Sequence, residues 1–423
     1  MGMTMAEKVL ARASGVGEVA PGQYVTAKVD QVMCIDVFVD VCDVLEEAGI
    51  DRVWDPSRIV VLLDHFVPAP TVACAEDHKA IREAVKRFGI GSWYDIRAGI
   101  CHQVMGEKGH IVPGELVVGC DSHTTTYGAF GAAGTGIGVT EMAYVIATGE
   151  LWMRVPPTLK FILEGTLPGG VMSKDISLYI AGRYTTEVAQ YKAVEFTGRA
   201  AKELSIASRM TMANMGVEIG AKFAFFEADE KTLAYLDGRS SRVASRPVRL
   251  FKADPDAGYE NVYEIDVSRL EPQVACPHDV GNVRPVSELG EIRVDQAFLG
   301  SCTNGRFEDL ATAAQILAGK KVHPETRFLV FPASWEVYLE ALRAGILETL
   351  IAAGAVVCNP GCGPCMGGHM GLLAAGERCI ASSNRNFKGR QGSTEAEVYL
   401  ASPATVAASA FAGRISDPRQ LRD

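Results

Sequence analysis

The hydrophobic period of this chain switches back and forth along its length, and that switching limits the fold more than any other feature. The runs Ile59-Val-Val-Leu-Leu63, Glu115-Leu-Val-Val-Gly119, Ala297-Phe-Leu-Gly300, Arg327-Phe-Leu-Val-Phe331 and Gly354-Ala-Val-Val357 are short and largely apolar. Runs of this kind read as strands buried on both faces. Helical patterns follow or separate them at 74–88, 139–151, 307–317, 335–344 and 395–400. Strands alternating with helices predict an α/β fold, with parallel sheets covered by helices on both faces. At 423 residues the chain outgrows a single core, so two or three domains are expected. Pro156-Pro157 and the loop near 277–282 mark the boundaries.

Charge narrows the partners. The formal net charge is −10, with no Lys/Arg block, which argues against nucleic acid or an anionic membrane. No apolar run approaches the roughly 20 residues of a membrane span. The opening segment carries Thr4-Met-Ala-Glu7, a capping box that starts a helix, and lacks an apolar stretch with a cleavage site. Gly2 does not suggest myristoylation, because Ala6 stands where Ser or Thr is needed. A cytoplasmic protein is expected. Its eleven cysteines are then not a disulfide framework. Those at 34, 42, 74, 101, 120 and 276 read as core thiols, whereas 302, 358, 362, 365 and 379 cluster towards the C-terminal end.

The clustered cysteines carry the most specific chemistry. Asn359-Pro-Gly-Cys362-Gly-Pro-Cys365 sets two thiols on a Gly/Pro loop after a strand, and Gly300-Ser-Cys302-Thr-Asn-Gly305-Arg sets a third after another. Ligands of open α/β sheets bind beyond the carboxyl ends of the strands. Three occupants are conceivable. A structural zinc ion needs a fourth ligand, for which His369 is available. The spacing Cys358-x₃-Cys362-x₂-Cys365 is of the radical-cluster type, but fewer than 60 residues follow it, too few for the barrel such motifs open. Cys358 also ends an apolar strand and reads as core. A cubane cluster on Cys302, Cys362 and Cys365 leaves one of four irons without a thiolate, a poor electron carrier and a good Lewis acid.

Three further segments look chemical. Cys120-Asp121-Ser122-His123-Thr-Thr-Thr-Tyr127 follows the 115–119 strand and runs into Gly128, Gly131, Gly134, Gly136 and Gly138. The glycine spacing fails the dinucleotide fingerprint. It reads as a turn into a helix N-terminus that can approach a carboxylate or phosphate. Asp64-His65 ends the 59–63 strand, and Cys101-His102 lies in a short apolar loop. A single histidine in such a place is usually structural; three of them at strand ends and glycine turns indicate a site. His78, His110, His278 and His323 stand in polar, surface-like text and read as structural. Ser382-Ser-Asn384-Arg385-Asn386-Phe-Lys388-Gly389-Arg390 gathers the arginines an acidic protein needs for an acidic substrate, since guanidinium forks engage carboxylates bidentately. A solvated basic turn is the plainer alternative.

Together with Met212-Ala-Asn214-Met-Gly-Val-Glu218, these segments resemble the aconitase family in family order from about residue 60 to 390. Within it the chain looks like the large subunits of the isopropylmalate dehydratase and homoaconitase group. The resemblance implies three aconitase-type α/β domains, 1–155, 156–284 and 285–423, with parallel or mixed sheets and a cluster at their junction. It implies one [4Fe–4S] cluster on Cys302, Cys362 and Cys365, whose open iron binds the substrate hydroxyl and a carboxylate. Asp64 and His65 would protonate the leaving hydroxyl. His102 with Asp121, and His123 with Glu218, would position water and substrate oxygen. Ser122, Asn214, Asn384, Arg385 and Arg390 would hold the substrate. The implied reaction is reversible dehydration of a small hydroxy di- or tricarboxylic acid, 3-isopropylmalate first, with homocitrate, 2,3-dimethylmalate and methylmalate close behind. A cluster-containing RNA-binding regulator and a zinc-stabilised scaffold are the alternatives of another class. Two departures stand out. Single-chain members continue into a further domain that supplies a serine base and another arginine, so a separate small subunit is expected here. Val32-Met-Cys34-Ile-Asp36 also lacks the glutamine those members place near the substrate, Gln31 being out of phase.

Overall fold

The computed structural model of the chain describes residues 2–239 and 246–421. Three sheets organise it. The first has the strand order Ser92–Tyr94, Ile59–Leu62, Gln31–Cys34, Leu116–Gly119, Ala133–Gly136, every pair parallel. Its central strands are buried throughout, and successive side chains alternate between faces. Val32, Val61 and Val118 join one core with Phe38, Leu45, Ile81 and Met142 of the covering helices. Met33, Val60 and Val117 join another with Ile100, Val104 and Phe130. Burial on both faces explains why these strands read as unbroken apolar runs.

The second sheet is parallel, in the order Phe223–Phe226, Ala193–Thr197, Thr158–Glu164, Asn261–Asp266. The third has seven strands and is mixed. Glu397–Ala401, Arg378–Ala381, Gln296–Gly300, Arg327–Phe331 and Val356–Val357 run parallel, and Gln273–Ala275 and Val283–Pro285 add an antiparallel edge. The architecture is thus α/β with parallel and mixed sheets flanked by helices. Sheet membership supports a three-unit division of the chain, which we propose, with the 273–285 ribbon hydrogen-bonded into the third sheet although the sequence puts it before the second boundary. No described helix is long and apolar enough to cross a membrane.

Two local expectations are corrected. Residues 395–400 are not helical: Glu397–Ala401 is a strand whose Val398, Tyr399 and Leu400 fill the slot beside Arg378–Ala381. That packing outweighs the weak helical pattern of the flanking Glu and Ala. The helix expected over 139–151 stops at Thr148, where Gly149 takes the left-handed conformation, and Glu150–Arg154 returns as a strand. The last of the glycines after Tyr127, Gly138, caps the N-terminus of the helix Val139–Thr148 as the glycine turn predicts, and three of the others serve close packing. A Cβ on Gly128 would overlap the carbonyl of Ala224, and Gly134 and Gly136 meet the backbone of Thr124 and Asp121. Gly128 lets the turn Ser122–Phe130 press directly on the second sheet, and Gly134 and Gly136 let their strand of the first sheet press on the start of that turn.

The helix Met5–Ser14 opens with the expected capping box between Thr4 and Glu7. Its first amide, Met5 N, donates to Glu195 Oε1 at 2.8 Å, and Met3 N donates to Asp254 Oδ2 at 2.8 Å. The start of the chain is therefore tied to the second sheet and to the segment that leads into its last strand.

Candidate functional site

The strands of the first and third sheets deliver the site. Beyond Ile59–Leu62 come Asp64 and His65; beyond Gln31–Cys34 comes Asp36; beyond Leu116–Gly119 comes Asp121. From the third sheet, Gln296–Gly300 runs into Ser301, held at φ 68°, and then Cys302. Arg378–Ala381 runs into Asn384 and Arg385. Carboxyl ends of parallel strands thus converge on one cavity of about 210 Å³. Ten of the fourteen site residues read from the sequence line it, and the other four, Asp64, His102, Asn214 and Glu218, stand one side chain behind. A larger cavity of about 720 Å³ lies between Met172, Ile316 and Leu421, with none of these groups in its wall.

On one side, every imidazole is held by a carboxylate. Asp64 Oδ1 lies 2.8 Å from His65 Nδ1, while Asp64 Oδ2 accepts the Cys101 amide at 2.7 Å. His102 Nε2 lies 2.8 Å from Asp121 Oδ1, and His123 Nε2 lies 2.8 Å from Glu218 Oε1. Asp121 Oδ1 also accepts the His123 amide at 2.7 Å, and Oδ2 sits 3.5 Å from His65 Nε2. The electrostatics follow. Burial alone would lower His65, but Asp64 and Asp121 outweigh it and raise it well above the usual imidazole range. Burial pushes Asp64 up to about 6, with His65 opposing; the pair therefore keeps a proton at neutral pH. Burial would likewise raise Asp121, yet His102, His123 and His65 hold it well below the usual carboxylate range. His102 is pulled down by its burial.

Two residues of this side escaped the sequence reading. Asp36 Oδ2 accepts the amides of Asp64 and His65 at 3.1 and 2.8 Å, and Oδ1 lies 3.2 Å from His78 Nε2. The stretch that lacks the expected glutamine thus supplies a carboxylate that fixes the His65 backbone. His78 and His110 are buried, at 3% and 2% exposure, rather than on the surface. His102 opens the helix Cys101–Glu107 instead of lying in a loop. Asp36 sits in apolar text and His78 in polar, helical text, and neither gave a signal.

The other side is sulfur. Cys302, Cys362 and Cys365 are all buried and all line the cavity. Asn214 Nδ2 donates to Cys302 Sγ at 3.2 Å, and Asn384 Oδ1 lies 3.8 Å from Cys302 Sγ and 3.6 Å from Cys365 Sγ. Asn384 Nδ2 also donates to Asn214 Oδ1. Burial, with Asp121 and Cys365 adding to it, pushes Cys302 up to about 12. The Cys362 thiol hydrogen bond drops Cys365 to about 5. Among the described residues, the trios of His, Cys, Asp or Glu whose ligand atoms lie within 4.8 Å of one another are His102/His123/Cys302 and Asp36/Asp64/His65. Neither contains two cysteines, so the three thiols are not gathered to single-ion geometry and fit a larger, multi-iron guest. His369, the fourth ligand a zinc site would need, instead meets the Pro68 carbonyl at 2.9 Å. Cys358 is half-buried, packed against the edge of the core, and lies outside the cavity wall. Cys74, Cys120 and Cys276 are also half-buried, whereas Cys34, Cys42 and Cys101 are core thiols as expected.

Cations close the site. Arg385 Nε donates to Glu218 Oε1 at 2.9 Å and its Nη2 to Ser122 Oγ at 3.1 Å. Arg390 Nε donates to the Cys365 carbonyl at 2.9 Å. Lys174, fully buried and not singled out from sequence, donates from Nζ to the carbonyls of Ser382 at 3.1 Å and Ser383 at 2.5 Å. Burial pulls it down to about 8. It pins the loop that carries Asn384 and Arg385 to the helix Ser173–Tyr184.

Comparison with known proteins gives the chain's family. The profile of the Aconitase family (aconitate hydratase) matches residues 18–292 and 282–413. The "3-isopropylmalate dehydratase large subunit 1" of Methanopyrus kandleri is 54% identical over 99% of both chains. The "3-isopropylmalate dehydratase large subunit" of Aquifex aeolicus is 50% identical, over 100% of this chain and 98% of the relative. The "Probable methanogen homoaconitase large subunit" of Methanothermobacter thermautotrophicus is 49% identical, over 99% and 98%. With imidazole–carboxylate pairs on one wall, thiols on the other, and matches along almost its whole length, the chain belongs to the aconitase family.

Proposed function

We propose that this chain is the large subunit of a 3-isopropylmalate dehydratase, interconverting 2- and 3-isopropylmalate by loss and re-addition of water. As an aconitase-family member it is a hydro-lyase, and the family implies an iron–sulfur cluster. The observation that carries the reading is the meeting, in one cavity of about 210 Å³, of three thiols with His65 and His123, each paired to a carboxylate. Cys302, Cys362 and Cys365 would hold one [4Fe–4S] cluster, which when bound supplies a Lewis acid at an iron without a thiolate.

The chain's own groups do the rest. Hydroxide is a poor leaving group, and the Asp64–His65 pair keeps a proton beside the cavity to give it. Asp64 fixes His65 through Nδ1, which leaves Nε2 towards the cavity. Asp121 stays anionic among the three imidazoles and orients His102, while Glu218 orients His123 and Arg385 together. Arg385, Arg390 and Ser122 would bind substrate carboxylates, and Asn214 and Asn384 would brace the sulfur side. A base for the C–H proton belongs, on this reading, to a separate small subunit, in keeping with relatives named as large subunits.

A homoaconitase is the second reading, because one relative at 49% identity carries that name. Ile35, Val37 and Phe66 in the cavity wall favour an alkyl-substituted malate over a third carboxylate. The test is a panel of 2- and 3-hydroxy acids offered anaerobically to the cluster-loaded chain with its small subunit. Highest kcat/KM on isopropylmalate is expected; highest turnover on homocitrate would replace the reading, and full turnover without a small subunit would remove the need for a partner.

A further inference from the structure

Two thiols outside the sulfur wall meet at the rim of the cavity. Cys34 ends the strand Gln31–Cys34, and Cys120 follows the adjacent strand Leu116–Gly119. The parallel register pairs Met33 with Gly119, and the Cys120 amide donates to the Met33 carbonyl at 3.0 Å. One step further along both strands, Cys34 stands opposite Cys120. Adjacent strands lie about 4.8 Å apart, within the roughly 4.4–6.8 Å of Cα separation that a disulfide spans.

Opposed across the strand pair, the two thiols are near enough to interact. Burial, and next to it a hydrogen bond with the Cys120 thiol, raises Cys34 well above the ordinary thiol range. Cys34 is wholly buried, whereas Cys120 is half-buried and opens both to the cavity and to an adjoining cleft of about 360 Å³. One sulfur is thus reachable and the other waits behind it. Neither takes part in the dehydration scheme above.

We propose that Cys34 and Cys120 are an oxidisable dithiol whose closure to a disulfide switches the neighbouring site off. The oxidant class is a small-molecule disulfide. The Cys120 sulfur attacks one sulfur of that reagent, the reagent's S–S bond breaks, and its first half leaves as a thiol. The Cys34 sulfur then attacks Cys120, and the second half leaves. Two protein thiols and one small disulfide become one protein disulfide and two small thiols. Two electrons and two protons pass from protein to reagent.

The consequence reaches the site through a single bond along the chain. Asp121 follows Cys120 directly and holds His102 Nε2 at 2.8 Å and the His123 amide at 2.7 Å. Drawing Cys120 towards Cys34 moves that carboxylate, and a displacement of about 1 Å in such a constellation costs roughly a hundredfold in rate. The loss of activity rests on the dehydratase reading; the cross-link does not.

The experiment treats the cluster-loaded complex with glutathione disulfide under anaerobic conditions, then maps cysteines by mass spectrometry. The expected result is a Cys34–Cys120 cross-linked peptide, activity down roughly a hundredfold, iron–sulfur absorbance unchanged, and recovery with dithiothreitol. Cys34→Ala should keep basal activity and yield a mixed disulfide on Cys120 in place of the cross-link, and Cys120→Ala should yield neither and lose no activity. Free thiols at both positions after treatment overturn the proposal. So does bleaching of the cluster with oxidation at Cys302, Cys362 or Cys365, or a cross-link that leaves activity intact. If the untreated complex dehydrates nothing, the dehydratase reading fails, and the peptide map still decides the dithiol.

Discussion

His65, His102 and His123 each meet a carboxylate at 2.8 Å, whereas Cys302, Cys362 and Cys365 face chiefly asparagine amides and one another. The imidazole wall is complete within the chain: each carboxylate fixes a ring, and further amides fix the carboxylates. The sulfur wall is not self-sufficient. Burial raises Cys302, and the Cys365 hydrogen bond together with burial raises Cys362, whereas that same bond lowers Cys365, so two of the three thiols hold their protons until a positive guest takes their place. On the proposed cluster reading, one wall is preorganised by folding and the other by loading.

That contrast can be broken in order of effect. Cys302→Ser should abolish the brown iron–sulfur absorbance and, with it, activity down to background; an intact spectrum would show that the sulfur wall is not what holds the cluster. His65→Asn should leave the spectrum untouched while kcat falls by about 10²–10⁴-fold, which anaerobic initial rates will measure. Glu218→Gln should raise KM more than it lowers kcat, and should cost about 3 kcal/mol, the lower end for breaking a buried pair because Arg385 retains some exposure; urea midpoints read the second figure. A pH effect lies away from either wall. Asp175 accepts the amides of Met172 at 2.7 Å and Gln273 at 2.8 Å, and burial raises it from 3.8 to about 7. A carboxyl raised on folding contributes stability that is full below its unfolded value and fades as pH climbs through the folded one. The urea midpoint of the chain should therefore fall as pH rises from about 4 to about 7, and Asp175→Asn should flatten that slope. Cys358→Ser should change nothing in the spectrum; bleaching would restore the radical-type spacing as a ligand set.

The imidazole and sulfur walls were legible for one physical reason. A parallel sheet presents the residues just after each strand, so Asp64-His65, Asp121, Cys302 and Asn384-Arg385 appear as polar text stopping an apolar run. Asp36 obeys the same rule but follows Val32-Met-Cys34-Ile, where neighbouring apolar residues hide it. Lys174 was illegible for a different reason. It lies near the start of a helix, where a lysine ordinarily faces water, and only the packing of that helix against Ser382 and Ser383 buries it. Residues 395–400 failed because a short segment with Glu and Ala leans helical until a sheet slot claims it.

The capped helix at residues 5–14 carries a consequence in time. Its anchors, Glu195 and Asp254, lie about 190 and 250 residues further along the chain. At synthesis rates of about 5–20 residues per second, those anchors emerge roughly 10–50 seconds after the helix itself. During that interval the amides of Met3 and Met5 have no carboxylate to donate to, and Met5, Val9 and Leu10, all buried in the finished molecule, lie in a cluster that still lacks Ala193, Phe223 and Phe225. A nascent chain of this sequence should therefore engage a ribosome-associated chaperone through its first helix, and release it once residue 254 has cleared the exit tunnel.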